Sequence, residues 1–105
     1  MDKKEAIKIA KRYIETINRK YKIENAILFG SFAKGTNHAD SDIDLAIIFR
    51  SVNDIIDLQI ELMIMRSDDD LLIEPHPFNK SDFNISNPIA AEILRNGKEI
   101  INYAA

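Results

Sequence analysis

Gly30-Ser31 and, ten residues on, Asp42-Ile43-Asp44 are the residues of this chain whose types and spacing could do chemistry. A glycine-serine turn leaves one apolar run, Ala26-Ile27-Leu28-Phe29, and two carboxylates open the next, Leu45-Ala46-Ile47-Ile48-Phe49. Residues i and i+2 of a strand point to the same face, which sets Asp42 and Asp44 side by side. Like charges that close are costly unless a cation lies between them. A pair of magnesium ions is the usual answer, and phosphate chemistry the usual reason.

Gly30 lets a ligand approach the backbone, because no side chain stands in the way. Ser31 opens a short helical turn whose free N–H groups favour an anion, and its hydroxyl adds a donor for a phosphate oxygen. A glycine-serine pair alone is more often a plain turn. The aspartates carry the argument: Asp44 is followed at once by Leu45-Ala46-Ile47, and an unpaired carboxylate at the edge of a core is expensive. Two-metal chemistry wants a third carboxylate. Glu74 is the candidate, ending the apolar strand Leu71-Leu72-Ile73-Glu74, which Pro75 and Pro77 are expected to stop. Asp68, Asp69 and Asp70 precede that strand and read as a solvated loop. His38 and His76 read as exposed loop histidines, and Met63 and Met65 as core filling.

The elements that must hold these groups follow from periodicity. Ile7, Ala10, Ile14, Ile17 and Tyr21 recur at helical spacing, with Asp2 as N-cap and Glu5 completing a capping-box arrangement. The first strand runs from about Ala26 to Phe29, and Ser31 to Lys34 form a short helical turn broken at Gly35-Thr36-Asn37. The second strand, Asp42 to Phe49, is apolar on both faces after Asp44 and belongs in the middle of a sheet. Asp54 to Met65 is read as a helix despite the alternation of Ile60, Leu62 and Ile64, because it is long and opens on an aspartate cap. Ser86 or Asn87 caps a last helix with Pro88 in its first turn and Gly97 at its end, and Ile100-Ile101 form a final short strand. The fold class is α/β (α+β), a small mixed β-sheet flanked by helices.

At 105 residues the chain is read as a single domain, 1–105. A net charge of −3 argues against a surface that grips nucleic acid through its phosphates. The cations gather at the first helix (Lys3, Lys4, Lys8, Lys11, Arg12, Arg19, Lys20, Lys22) and read as a solvated face. Absence of cysteine excludes disulfides, thiolate metal sites and cysteine nucleophiles. No apolar run reaches membrane-spanning length, and the charged, helical start is unlike a signal sequence, so a cytoplasmic location is expected.

The run Gly30-Ser31-Phe32-Ala33-Lys34-Gly35, followed by Ser41-Asp42-Ile43-Asp44-Leu45, resembles the signature of the DNA polymerase β-like nucleotidyltransferase superfamily. Size and the C-terminal pattern, Asn87-Pro88 ahead of a helix closed by Gly97, are similar to its minimal nucleotidyltransferases (MNT proteins). The resemblance implies that Asp42, Asp44 and Glu74 hold two Mg2+ ions. It implies that Gly30 and Ser31 bind the β- and γ-phosphates of ATP, and that a hydroxyl displaces pyrophosphate from the α-phosphorus. Lys34 stands where many relatives carry arginine and is the candidate to steady the aspartates or the triphosphate. The third carboxylate is often aspartate, so Glu74 departs from the pattern. MNT proteins resemble, as a group, antitoxins paired with HEPN-type toxins. The implied reaction is AMP transfer from ATP to a toxin tyrosine, within a homodimer or a hetero-oligomer. Two alternatives stand beside it: neutralisation of the partner by binding alone, and an aminoglycoside-type enzyme acting on a small molecule.

Overall fold

The computed structural model describes residues 1–103. Helix α1 (Lys3–Lys20) starts where the Asp2 carboxylate accepts a hydrogen bond from the Glu5 amide at 2.8 Å. It buries Ala6, Ala10, Tyr13, Ile14 and Ile17. Ile7 and Tyr21 flank that stripe, half-buried. Tyr13 can join it because its hydroxyl finds a partner, donating to the Leu62 carbonyl oxygen at 2.5 Å; burial pushes the phenol pKa up. Strand β1 (Ile23–Phe29) begins at Ile23 rather than Ala26, since Ile23 is buried and pairs with Phe49. The turn α2 (Ser31–Lys34) ends at Gly35, which adopts the left-handed conformation.

Strand β2 (Ile43–Phe49) opens one residue after Asp42. Helix α3 (Ile55–Ile64) is capped by the Asp54 carboxylate, which accepts from the Ile56 and Asp57 amides. After a short 3-10 turn come β3 (Ile73–Asn79), a second 3-10 turn, α4 (Pro88–Asn96) and β4 (Lys98–Asn102). Asn87, not Ser86, caps α4.

The sheet order is β3-β2-β1-β4, with β1 antiparallel to both β2 and β4 and with β2 parallel to β3. β2 lies inside the sheet, as its two apolar faces require. Ile43, Leu45, Ile47 and Phe49 pack under α1 and α3 together with Leu58, Leu62 and Ile73. Ala46 and Ile48 face the other way, onto Ile27, Ile93 of α4, Phe29, Phe78 and Phe83.

Three expectations are corrected. The prolines do not stop β3, which passes through Pro75 and Pro77 to Asn79. The Ile43 amide donates to the Leu72 carbonyl at 2.7 Å, and alternation then turns residues 73, 75 and 77 away from β2. Both prolines therefore sit on the outer side of an edge strand, where no ladder donor is needed. Two of the outward carbonyls are satisfied by side chains: Ile73 accepts from Arg66 at 3.0 Å and Pro75 from Gln59 at 2.6 Å. Asp70 is not in a solvated loop but buried in the 3-10 turn, where its carboxylate accepts from the amide and hydroxyl of Ser67. Met63 is exposed rather than core; only Met65 packs against the core.

Ile47 is fully buried at the centre of β2. Ile47→Ala should lower unfolding stability by about 2–5 kcal/mol in urea titrations, against less than about 1 kcal/mol for exposed Ile64→Ala.

Candidate active site

Parallel pairing of β2 with β3 sets Asp44 directly opposite Glu74, and Ala46 opposite His76. Asp42, immediately before β2, continues the alternation that places Asp44 and Ala46 on one face. Glu74 and His76 occupy the same face of β3 two residues apart. The strands thus bring Asp42, Asp44, Glu74 and His76 to one corner, at the start of both. Asp44, Glu74 and His76 each offer one ligand atom, and the three atoms lie within 4.8 Å of one another.

Gly30 closes this corner from the side. It follows Phe29, which pairs with Asp44 across β1 and β2, and its φ of 74° and ψ of −151° belong to glycine. A Cβ here would overlap the Asp44 Oδ2 atom. The glycine is thus required twice, for its backbone and for the space the carboxylate fills. Ser31, half-buried, follows as the first residue of α2.

Asp42 is held through its neighbour. Ser41 is buried, its amide donates to the His38 carbonyl at 3.1 Å, and its Oγ accepts from the His38 amide at 2.8 Å. His38 is exposed, and its Nδ1 accepts from the Asp40 amide. The histidine thus shapes the loop that delivers Asp42.

Glu74 lies exposed at the second position of β3 rather than at its end, as expected from the sequence. Partial burial of its carboxyl, then the Asp42 and Asp44 charges, push its pKa up. His76 departs from the sequence reading altogether. It is a strand residue, packed edge-on against Phe29 at a 5.2 Å ring separation, with Nε2 3.6 Å from Asp44 Oδ1. Lys34 is turned elsewhere: its ammonium lies 3.4 Å from Glu92 of α4.

Sequence reasoning missed His76 and gave Ser41, though part of the Ser41-Asp42-Ile43-Asp44-Leu45 run, no role of its own. The signal for His76 was its i, i+2 spacing from Glu74, legible only if the strand is carried through the prolines. A concavity of about 690 Å³ opens at the far end of β2, among Lys20, Phe49, Arg50, Val52, Asp57 and Leu58. Lys20 and Arg50 are paired there, with Glu61 and Glu24, and although Lys22, Asp54, Asp57 and Glu61 also line it, its carboxylates form no metal-sized cluster among the described residues. The acidic corner is the better candidate for chemistry.

Residues 11–104 match the family described as Polymerase beta, Nucleotidyltransferase. The chain belongs to this family. Among solved structures it is similar to a Sulfolobus solfataricus chain assigned to the nucleotidyltransferases. That match has a TM-score of 0.73 and 15% identity, and covers 96% of this chain and 84% of the other. It is similar to a chain of a toxin-antitoxin with AMP-PNP (TM-score 0.58, 22% identity, 87% and 72% covered). A third likeness is to a mutant of the toxin-antitoxin MntA-HpeT (TM-score 0.53, 19% identity, 97% and 74% covered). No curated protein sequence matches significantly. The family's mixed sheet with flanking helices is the fold found here. No helix among the described residues is long and apolar enough to cross a membrane.

Gly30→Ala should cost about 1–3 kcal/mol in urea titrations. Part of that loss should return in the double variant with Asp44→Ala, which removes the overlapping carboxylate. A second outcome concerns pH. A raised folded pKa means the fold favours protonated Glu74. Its contribution is therefore complete below the unfolded value and lost as pH rises through the folded one. With chelator present, stability should fall as pH rises from the ordinary value of 4.5 through the raised one. Glu74→Gln should flatten that decline.

Proposed function

We propose that this family member transfers AMP from ATP to a hydroxyl, and that the acceptor is a tyrosine of a HEPN-type toxin partner. The observation that carries this reading is the β2–β3 register, which sets Asp44 opposite Glu74 with Asp42 on the same face and Gly30 alongside. The donor set fits divalent cations. The carboxylates of Asp44 and Glu74 converge with the His76 Nε2, which is shielded from solvent and has no hydrogen-bond partner among the described residues, and the Asp42 charge is near enough to act on Glu74. Asp42, Asp44 and Glu74 would hold two Mg2+ ions. When bound, such ions supply charge neutralisation at the triphosphate and activation of the hydroxyl.

Gly30 and Ser31 receive the β- and γ-phosphates, with the bare Gly30 backbone allowing close approach and the Ser31 amide and hydroxyl donating. The acceptor hydroxyl oxygen attacks the α-phosphorus from the Glu74 side, and a new O–P bond forms. The bond from the α-phosphorus to the bridging oxygen breaks in line, pyrophosphate departs, and the hydroxyl proton passes to solvent. Lys34, paired with Glu92 and half exposed, can swing to the departing pyrophosphate as a point charge.

Support for a toxin partner comes from the two toxin-antitoxin likenesses, one of which carries AMP-PNP in its name. A second reading, neutralisation by contact alone, is favoured by the apolar residues Ile56, Ile60 and Ile64, all exposed along α3.

Incubation with Mg2+, α-labelled ATP and the HEPN partner should add one AMP mass to the partner. Asp44→Ala and Asp42→Ala should lower transfer at least about a hundredfold while leaving the complex intact. A partner that is neutralised equally by Asp44→Ala, with no mass gain, would replace catalysis by contact.

A further inference from the structure

We propose that His76 is itself a metal ligand, through Nε2, and that this nitrogen biases the acidic corner toward Mn2+ over Mg2+. The proposal rests on the reading of the corner as a metal-dependent transfer site and adds to it which ion that site selects.

The ring is held with Nε2 turned inward. Its outer part is open, leaving the side chain 41% exposed, yet Nε2 is shielded from solvent and lacks a hydrogen-bond partner among the described residues. Such an atom is normally paired. Its nearest acidic neighbour, Asp44 Oδ1, stands 3.6 Å away, too far for a hydrogen bond. The spacing suits two donors on one ion. Ligands about 2.1 Å from a metal lie about 3 Å apart when adjacent and about 4 Å apart when opposite. The Asp44, Glu74 and His76 donor atoms, all within 4.8 Å of one another, need only small side-chain movement to converge.

Two neighbours fix that orientation. Phe29 packs against the imidazole with planes 61° apart. Ala46, opposite His76 in the ladder, is small enough to leave the ring room over the sheet.

A nitrogen donor changes which ion is preferred. Mg2+ is bound by oxygen and parts reluctantly with its waters, whereas Mn2+, although it too favours oxygen and is the weakest binder of the first-row transition ions, tolerates a nitrogen ligand better than Mg2+ does. Two carboxylates and one imidazole form a mixed set that a purely oxygen-seeking ion uses poorly.

The test uses the full chain with MnCl2 alone, without nucleotide. Pulsed EPR of the wild-type protein with bound Mn2+ should show 14N coupling from a directly bound imidazole, and His76→Gln should abolish it. By calorimetry His76→Gln should weaken Mn2+ binding about tenfold or more and change Mg2+ binding less than about twofold, while Asp44→Asn should weaken both. Absence of 14N coupling in wild-type protein whose Mn2+ is lost in Asp44→Asn would overturn the proposal and leave the metal-dependent reading standing. Mn2+ binding indifferent to Asp44→Asn would overturn both. Because the EPR signal is read on the unaltered chain, it does not depend on the variants folding.

Discussion

Pairing Asp44 with Glu74 across two parallel strands is the constraint on which the rest depends. Like charges set directly opposite each other weaken a sheet. Each such contact costs on the order of 1 kcal/mol in water and more near a protein surface. Asp42 adds a third carboxylate to the same corner. The neighbouring apolar residues, Leu45 to Phe49 on one strand and Ile73, Pro75, Pro77 and Phe78 on the other, hold the register against that repulsion. A slip of one residue would bury Asp44 in the core beneath α1 and α3 and expel Leu45 from it. The hydrophobic pattern therefore forces the carboxylates together.

The remaining parts accommodate this choice. β1 runs antiparallel beside β2, so its C-terminal end delivers Gly30 to the point where Asp44 emerges. A side chain there would compete with the carboxylate for one volume. On the other side, β3 can be an edge strand rich in proline because its proline nitrogens point outward, and two of its outer carbonyls are met by Gln59 and Arg66. Outward proline nitrogens also deny another strand a donor row, which protects the edge beside the site from pairing with a second sheet. Thin cover over this face, with α4 docking through Ile93 on Ile27, Ala46 and Ile48, leaves the corner open to substrate.

Much of this was legible in the sequence where the signal is local. The period of two put Asp42 and Asp44 on one face before any topology was known. Asp2 and Asp54 announced their helices, and the Ser86-Asn87 pair the last one, because capping is a contact within one turn. Illegible features depended on what lay alongside. Pro75 and Pro77 looked like a stop because only the sheet order shows that β3 is an edge and only its register shows which way each nitrogen points. His76 was lost with the strand. Met63 and Met65 could not be told apart without knowing which side of α3 meets the sheet. Lys34 pairs with Glu92 because α4, more than fifty residues on, docks beside α2.

On the proposed function, metal and triphosphate meet at the Asp42–Asp44–Glu74 corner, with Gly30 and Ser31. The most direct measurement is a crystal structure of the protein with Mn2+ and a non-hydrolysable ATP analogue, with metal located by anomalous scattering. Anomalous density is expected among Asp42, Asp44, Glu74 and His76, with the β- and γ-phosphates against the Gly30 and Ser31 amides. Nucleotide seated instead in the cavity bounded by Lys20, Arg50 and Asp57, with no metal at the carboxylates, would contradict it.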